Sequence, residues 1–372
     1  GMSGRYSMAE DLDQFWYYLA SKKKGAIFTR EDSWNMSILK EQAKEFDSEF
    51  FKIDHETAEN IPAEGRIILE ELWKAMESAG YRQETLEEQI GLFLGIQTNN
   101  GQDSNDFVWQ EKVSKDIIHV MELENKVVRC VYGNIPATRL IQSACDCINR
   151  GEIKLAIVAS ACLLDNNSSN DNELGEGVGI LLLKEKNDAL IEQDIIYGLI
   201  KYVWCGLESK PTLQNGNVTE TYQKNIFRLF ENIDVSKEDI DFIELQDSLV
   251  EHSGIVDVLS NMFSEGSNQK RQIPVGFIKK NTGELGGVTG MAQIMKALLQ
   301  FQTNTLAPVL ASDDIKRKIN SKGKFYLPSQ LIGWNGKESK MKCVMLVSSR
   351  ETGVQDVIII KEWKDVEDLH EK

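Results

Sequence analysis

The chain has 372 residues, of which 41% are hydrophobic, and this length and composition predict a folded globular protein with a large buried core. Its formal net charge of −16 at pH 7 argues against a general role in binding nucleic acids or anionic membranes. We interpret the basic run at Lys22, Lys23 and Lys24 as a solvated helix end, with a small basic patch as the alternative.

Hydrophobic periodicity predicts helices that alternate with strands along the chain. Predicted helices cover residues 9–21, 57–80, 219–231, 252–263 and 288–302, the second interrupted near Pro62 and ended by Gly80. Predicted strands cover residues 90–96, 154–160, 178–183, 195–204, 242–245, 344–348 and 357–360. Polar connections are expected at 165–172 and 215–217, and a capped helical turn at 236–239. This alternation predicts an α/β fold whose sheet is covered on both faces.

The cysteines and the apolar segments indicate the cellular compartment and whether a membrane or a metal is involved. No apolar run approaches the roughly 20 residues that span a bilayer, and no signal peptide is visible, so we expect a cytoplasmic protein without a membrane partner. The cysteines lack the paired spacing of a zinc site or a redox motif, and the four histidines are scattered. We therefore expect free buried thiols and no metal. The cysteines are Cys130, Cys145, Cys147, Cys162, Cys205 and Cys343.

Several motifs follow one another in a fixed order. They are GMSGRY at 1–6, AEDLDQFW at 9–16, FDSEFFKI at 46–53, LEELW at 69–73, AGY at 79–81, GEGVG at 175–179 and KKNTG at 279–283. Together they resemble the ketosynthase (β-ketoacyl synthase) domains of modular bacterial polyketide synthases, nearly end to end. The resemblance implies a thiolase-like fold: a single domain, 1–372, with two pseudo-symmetric halves, about 1–190 and 194–372, and a five-layered α-β-α-β-α core. The family's first strand, which precedes GMSGR, is expected to be missing.

The resemblance also implies which positions belong to an active site. Family members use a cysteine thiolate at a helix N-terminus to accept an acyl group from a carrier protein. Two histidines then assist decarboxylation of a malonyl thioester. In this chain the cysteine position is Asn134, and the two histidine positions are Gln246 and Glu284. Of the family's catalytic motifs, only Lys279 and Asn281 are retained.

Each replacement has a structural interpretation. Asn134 is predicted to be the N-cap of a helix with Pro136 in its first turn. Gln246 is interpreted as a buried, hydrogen-bonded amide that does not shuttle protons. A charged Glu284 would repel a malonyl carboxylate by about 4 kcal/mol at ~4 Å and an effective dielectric near 20, unless it pairs with Lys279 or is protonated. The site is therefore predicted not to support decarboxylative condensation.

No other residue is predicted to replace the missing groups. Cys145 and Cys147 fall well inside the helix that follows Asn134, and we interpret them as core residues. His252 is placed at the start of the next predicted helix, away from Gln246. The sequence contains no serine–histidine–aspartate elbow, metal-ligand cluster or phosphate-binding glycine loop elsewhere.

The family's contacts to the phosphopantetheine arm of a carrier protein come partly from threonines. Here those positions are Ser248, Val250 and Val354, and the stretch between Ala161 and Gly175 is shorter than in the family. We therefore expect no bound cofactor. The resemblance suggests one possible bound group, the phosphopantetheine of an acyl carrier protein.

These observations predict a catalytically inactive ketosynthase-like protein that acts as a dimerisation partner or scaffold in polyketide biosynthesis. It would form a homodimer, or a heterodimer with an active ketosynthase, and an acyl carrier protein is a further candidate partner. Two alternatives stay open. The first is an enzyme with repurposed acyl chemistry: non-elongating acyl transfer, decarboxylation, or dehydration with Glu284 as the base. The second is a non-elongating domain excised from a larger synthase.

Overall fold

The structure is a computed structural model, and it divides into two compact units. It describes residues 1–24, 37–82, 86, 89–97, 106–164, 174–206, 230, 233–252, 254–264, 272–321, 323–334, 341–349 and 355–364. The first unit comprises Gly1–Trp16, Lys24–Ile196 and Thr282–Met295. The second comprises Tyr17–Lys23, Tyr197–Asn281 and Lys296–Lys372.

The first unit is built on a five-stranded mixed sheet. Its strands are β1 (Met2–Tyr6), β2 (Ile90–Gln97), β3 (Val127–Gly133), β4 (Leu155–Cys162) and β5 (Gly177–Lys184). They lie in the order β1-β5-β4-β2-β3, so β1 and β3 form the two edges. Strand β2 is parallel to both β3 and β4, whereas β5 is antiparallel to β4 and β1.

The long helix predicted in the first half of the chain starts and ends where proline and glycine predict. The long predicted helix at 57–80 is broken at Pro62 and ends at Gly80, whose φ of 75° provides the left-handed C-cap. The helices are α1 (Leu12–Ala20), α2 (Ile38–Gln42), α3 (His55–Asn60), α4 (Ala63–Ala79), α5 (Asp106–Val120), α6 (Ala137–Asn149) and α7 (Lys186–Ile191).

The second unit contains a six-stranded sheet. Its order is β10-β8-β7-β12-β13-β6, and a two-stranded ribbon pairs β11 with β9. The strands are β6 (Leu199–Cys205), β7 (Phe242–Leu245), β8 (Ile273–Gly276), β9 (Thr305–Leu306), β10 (Phe325–Tyr326), β11 (Ile332–Gly333), β12 (Cys343–Ser349) and β13 (Gln355–Lys361). The remaining helices are α8 (Asp247–His252), α9 (Ile255–Ser264), α10 (Lys279–Thr282), α11 (Thr289–Thr303) and α12 (Asp313–Asn320).

Each unit has its own hydrophobic core. Central strands β2 and β4 are continuously buried, as their apolar sequences predict, and α4 packs against the sheet through residues such as Ile68 and Leu72. In the second unit the buried residues of β7 and β12 pack against α9. No helix in the described part of the chain is long and apolar enough to cross a membrane.

Most predicted elements are confirmed within a few residues, but several observed elements were not predicted. They include the strands β1, β3 and β8 and the helices α2, α5, α7 and α12. The predicted helix at 252–263 is wrong at its start, because His252 ends α8 and Gly254, at φ 63°, separates it from α9. The predicted loops at 165–172 and 215–217, and the predicted helix at 219–231 apart from Phe230, lie outside the described residues.

Candidate functional site

The turn between β3 and α6 carries Asn134, the residue that the resemblance predicts at the nucleophile position. Strand β3 ends at Gly133, and the N-cap of α6 is Pro136, with no side-chain hydrogen bond to the helix. The prediction that Asn134 caps this helix is therefore wrong. The helix begins only after the proline, because Pro136 keeps an extended ψ of 143°, and Asn134 stays exposed two residues before the cap. No thiol lies in this turn.

The turn is enclosed by close backbone packing within the first unit. A Cβ atom on Gly95, near the end of β2, would collide with the carbonyl oxygen of Ile135. A Cβ atom on Gly287 would lie 3.5 Å from the Cα of Pro136, and the Gly287 amide donates to the side-chain oxygen of Gln97 at 2.6 Å. Glycine is needed at Gly95 because the neighbouring backbone leaves no room for a side chain, whereas the distances at Gly287 are ordinary van der Waals contacts. The segment that follows Glu284 is thus held against the Asn134 turn.

Glu284 is fixed by its backbone and leaves its side chain half-exposed. Its carbonyl oxygen accepts a hydrogen bond from the amide of Gly175 at 3.1 Å, and its backbone forms an isolated bridge with Leu174. The GEGVG motif therefore positions this residue, and both belong to the first unit together with Asn134. The resemblance predicts a histidine of the family at this position, and the residue here is a glutamate.

Gln246, Ser248 and Val250 follow β7 in the second unit. The Gln246 amide donates to the carbonyl oxygen of Val347 at 3.0 Å, and its side chain is half-buried, less than predicted. Ser248 is also half-buried, whereas Val250 is part of the hydrophobic core. Val250 therefore exposes little of its side chain. Val354 lies outside the described residues.

The two retained residues, Lys279 and Asn281, lie on the short helix α10. Asn281 is buried, and its Nδ2 donates to the carbonyl oxygen of Lys23 at 2.8 Å. Lys279 is half-buried. This hydrogen bond gives Asn281 a structural role, because it ties the segment after α1 to the second unit, to which both residues belong.

A buried ion pair beneath β7 was not predicted from the sequence. Lys296 Nζ lies 2.7 Å from Glu244 Oε2 and donates to the carbonyl oxygen of Phe277 at 2.9 Å. Both charged side chains are fully enclosed, and burial raises the pKa of Glu244 even though Lys296 opposes the shift. The sequence signal was a single charged residue, Lys296, within helix α11. The pair organises the core of the second unit, because each charge compensates the other.

The remaining cysteines and histidines do not restore a nucleophile–base pair in the described part of the chain. Cys147 is buried in α6, as predicted, and burial raises the pKa of Cys145 to about 12. A thiol with so high a pKa is not a nucleophile near neutral pH. Cys130 is exposed on β3, so the prediction that every thiol is buried is wrong. Among the described residues no three His, Cys, Asp or Glu side chains gather as a metal site.

Strand β3 forms an exposed edge with an apolar surface beside it. Val128 on the strand is 56% exposed, and Val108 on α5 is 65% exposed. Phe107 is also exposed, and its ring lies 5.2 Å from that of Tyr132. We call Phe107, Val108, Val128 and Tyr132 the edge patch. Sequence reasoning missed it, although the β-branched run VVRCVY indicates a strand.

Two families match the chain. The family described as beta-ketoacyl synthase, N-terminal domain, matches residues 1–135, and the family described as beta-ketoacyl synthase, C-terminal domain, matches residues 212–313. Polyketide synthase PksR of Bacillus subtilis (strain 168) is 24% identical over 90% of this chain and 16% of its own length. Polyketide synthase PksL of the same organism is 24% identical over 98% of this chain and 9% of its own length. The chain thus spans less than a fifth of these relatives.

Solved structures show the same fold. The ketosynthase from module 6 of the bacillaene synthase from Bacillus subtilis 168 superposes with a TM-score of 0.81 at 24% identity, over 98% of this chain and 72% of that one. The ketosynthase from module 1 of the bacillaene synthase from Bacillus amyloliquefaciens gives a TM-score of 0.77 at 21% identity, over 98% and 75%. The predicted α/β class and thiolase-like fold are confirmed.

Proposed function

Since the chain belongs to the β-ketoacyl synthase family and has the ketosynthase fold, we propose that it is a catalytically inactive ketosynthase-like protein that serves as a dimerisation partner or scaffold in polyketide biosynthesis. One observation carries the proposal. The turn from Gly133 to Pro136 holds an exposed asparagine and no thiol at the start of α6. A carboxamide does not form a thioester with an acyl chain, so the first step of condensation has no acceptor.

The second step lacks its partners as well. Decarboxylation of a malonyl thioester requires donors that stabilise the developing enolate, and neutral imidazoles provide them in the family. Gln246 keeps a donor but does not transfer protons, and an ionised Glu284 adds a negative charge where one develops. With Asn134, Gln246 and Glu284 at the three positions, the chain would keep the ketosynthase fold but not catalyse condensation.

The edge patch supports a role in association. An edge strand presents unpaired backbone groups that pair readily with another chain, and exposed apolar side chains beside it favour burial in an interface. The partner would be a second copy of this chain or an active ketosynthase. An acyl carrier protein is a further candidate, reached through its surface and not through its phosphopantetheine arm, because Val250 packs in the core.

Incubation with acyl-loaded and malonyl-loaded carrier protein tests the inactive role. We expect no mass adduct on the protein and no release of carbon dioxide above the buffer control, whereas an active ketosynthase gives both. Size-exclusion chromatography with light scattering tests the association. A protein that is monomeric at high concentration and that captures no ketosynthase of its own pathway would contradict the scaffold role.

One alternative is favoured by a specific observation. Glu284 is half-exposed and its backbone is fixed, which would suit a general base acting on a carrier-bound acyl chain. Non-elongating acyl transfer, decarboxylation or dehydration would then be the reaction. Product analysis of the same incubation separates the two, because a new acyl species that disappears in Glu284→Gln identifies the enzyme.

A further inference from the structure

The side chain of Gln97 lies on the turn that leads into helix α11. Gln97 ends β2, and the turn, Gly286–Val288, comes immediately before Thr289. The Gly287 amide donates to Gln97 Oε1 at 2.6 Å. A Cβ atom on Gly286 would collide with Gln97 Oε1 and would lie 2.8 Å from both Cδ and Nε2, so the flat carboxamide rests on this glycine. We call Gly286, Gly287 and Thr289 the carbonyl site.

The carbonyl site lies beside the turn that carries Asn134. A Cβ atom on Gly287 would lie 3.4 Å from Gln97 Oε1 and 3.5 Å from the Cα of Pro136, so the carboxamide oxygen and the cap of α6 flank the same glycine. All of these residues belong to the first unit. Gln97 is half-buried, so solvent reaches part of its side chain. A small molecule can therefore approach this place when the side chain is absent.

Two features suit the carbonyl site to an acceptor oxygen. The first amides of a helix have no acceptor within the helix, and the aligned peptide dipoles make this end partly positive. The second feature is the Thr289 hydroxyl, because Thr289 is only 7% exposed and its Oγ1 has no hydrogen-bond partner among the described residues. Side chains on a helix lean toward its N-terminus, which directs this hydroxyl toward the Gly286–Val288 turn. The turn thus offers a second donor beside the Gly287 amide.

The charge around the carbonyl site favours a neutral ligand. Glu284 lies two residues before Gly286 and is half-exposed, and the whole chain has a net charge of −16. Both disfavour a bound carboxylate. We infer that Gln97 is an internal ligand of the carbonyl site, which binds the carbonyl group of a small neutral molecule once this side chain is removed. The inference rests on the proposed function, because it takes the Asn134 turn as the place of the family's acyl site.

Chemical rescue of a truncated side chain tests this inference. Gln97→Ala removes the atoms of one acetamide molecule and leaves the Gly287 amide without its acceptor, so the variant should melt at a lower temperature than the parent. Acetamide should then raise the melting temperature of the variant saturably, by about 2 °C or more, because a ligand that binds only the folded state stabilises it. The parent should shift by less than about 0.5 °C, since Gln97 already occupies the site.

Two controls separate binding at the carbonyl site from a general effect of acetamide. Gln110 is a buried glutamine whose Nε2 donates to the carbonyl oxygen of Ile96 on β2 at 3.0 Å. Gln110→Ala therefore removes the same atoms beside the same strand but frees no helix amide. Gln97→Met fills the site with an apolar side chain of similar length and has no strong acceptor. Acetamide should raise the melting temperature of neither control.

Several outcomes would overturn the inference. One is the absence of any acetamide response in Gln97→Ala, and another is an equal response in either control. Stronger rescue by acetate than by acetamide would show that the ligand class is anionic and not neutral. If Gln97→Ala does not fold alone, the refolding yield in acetamide replaces the melting temperature, and no recovery would count against the inference in the same way. Carbon dioxide release or an acyl adduct in the parent would instead contradict the inactive role and leave the rescue result unaffected.

Discussion

The two edge strands of the first sheet, β1 and β3, differ in how far the rest of the protein covers them. Strand β1 is buried at all five of its residues, whereas β3 exposes Val128, Arg129 and Cys130 in succession. On the β1 side, the backbone nitrogen of Met2 donates to Ser78 Oγ on α4 at 3.0 Å, so α4 contacts this edge. On the β3 side the described residues show pairing with β2 alone.

Ionic contacts close the β1 edge. Arg5 Nε lies 2.7 Å from Glu71 Oε1, and its Nη2 lies 2.5 Å from Glu70 Oε2, both carboxylates being on α4. Arg5 also reaches the side chain of Gln42 on α2 at 3.3 Å. The comparison teaches that one edge of this sheet is covered by the unit's own helices and that the other is exposed among the described residues. Under our proposal, the exposed edge is the one that associates with a partner. Variants at the β1 edge should therefore lower the stability of the fold, whereas variants at the β3 edge should weaken association.

The largest expected effect is at the closed edge. Arg5→Met keeps most of the side-chain volume but removes the cation shared by Glu70 and Glu71, and it leaves the buried Glu71 with Lys74 alone. We therefore expect a loss of about 3 kcal/mol in the free energy of unfolding. Urea denaturation measures this loss. Lys74→Met is the matched control, because Lys74 contacts the same Glu71 oxygen at 2.9 Å from a more exposed position. It should lose less than about 1 kcal/mol, and equal losses in the two variants would contradict the closed-edge interpretation.

A smaller effect is expected at Glu176, which anchors the chain over the end of β1. Its carboxylate accepts hydrogen bonds from Ser37 Oγ at 2.5 Å and from the Leu39 amide at 3.0 Å, and its carbonyl oxygen accepts one from the Ser7 amide at 3.0 Å. Glu176→Ala leaves the Ser37 hydroxyl and the Leu39 backbone amide without this acceptor. It should cost about 2–3 kcal/mol, measured by the same denaturation.

The pH dependence at this residue has a definite sign. Burial raises the pKa of Glu176, although the hydrogen bonds from Ser37 and from backbone amides oppose the shift. The folded state therefore binds the proton more readily than the unfolded state. Stability contributed by this group is greatest below the ordinary carboxyl pKa and falls as pH rises through the raised folded value. Glu176→Gln should flatten this part of the stability profile, and an unchanged slope would contradict the assignment.

Much of the covered edge at β1 could be predicted from the sequence, but little of the exposed edge at β3 could. The motifs GMSGRY and LEELW carry Arg5, Glu70 and Glu71, so the resemblance located the residues that seal β1 without showing that they pair. Strand β3 was missed because its mixture of Val, Arg, Cys and Tyr lacks the continuous apolar run of a buried strand. Its exposure is a tertiary property, set by its place at the end of the sheet.

The candidate site shows the same limit. The predicted replacement of the thiol and of both imidazoles depends on residue identity alone, so it could be made from the sequence. The cap of α6 could not, since the helix start depends on the backbone torsions of Pro136. The Glu244–Lys296 pair likewise joins residues far apart in the chain, and no local pattern reports such a distance.

At the open edge the expected effect is on association. Val128→Lys places a charge on the edge patch, and in a twofold interface the change is present twice. We expect the dissociation constant of the dimer to rise at least about tenfold, or about 1.4 kcal/mol, with monomer stability unchanged. Sedimentation over a concentration series measures it. Ile191→Lys is the control, because Ile191 is 78% exposed outside the edge patch. A dimer that weakens equally in both variants would place the interface elsewhere.

The smallest effect is expected at Asn134, just beyond the open edge. Because its side chain is exposed and does not cap α6, Asn134→Ala should change the free energy of unfolding by less than about 0.5 kcal/mol. Asp54→Ala provides the contrast, since Asp54 does cap α3 by accepting from the Thr57 amide at 2.9 Å. That variant should lose about 1 kcal/mol in the same denaturation experiment. A loss at Asn134 as large as the loss at Asp54 would mean that the Asn134 side chain has a structural partner. Asparagine at this position would then be explained by folding, and its presence would no longer support the proposal of an inactive site.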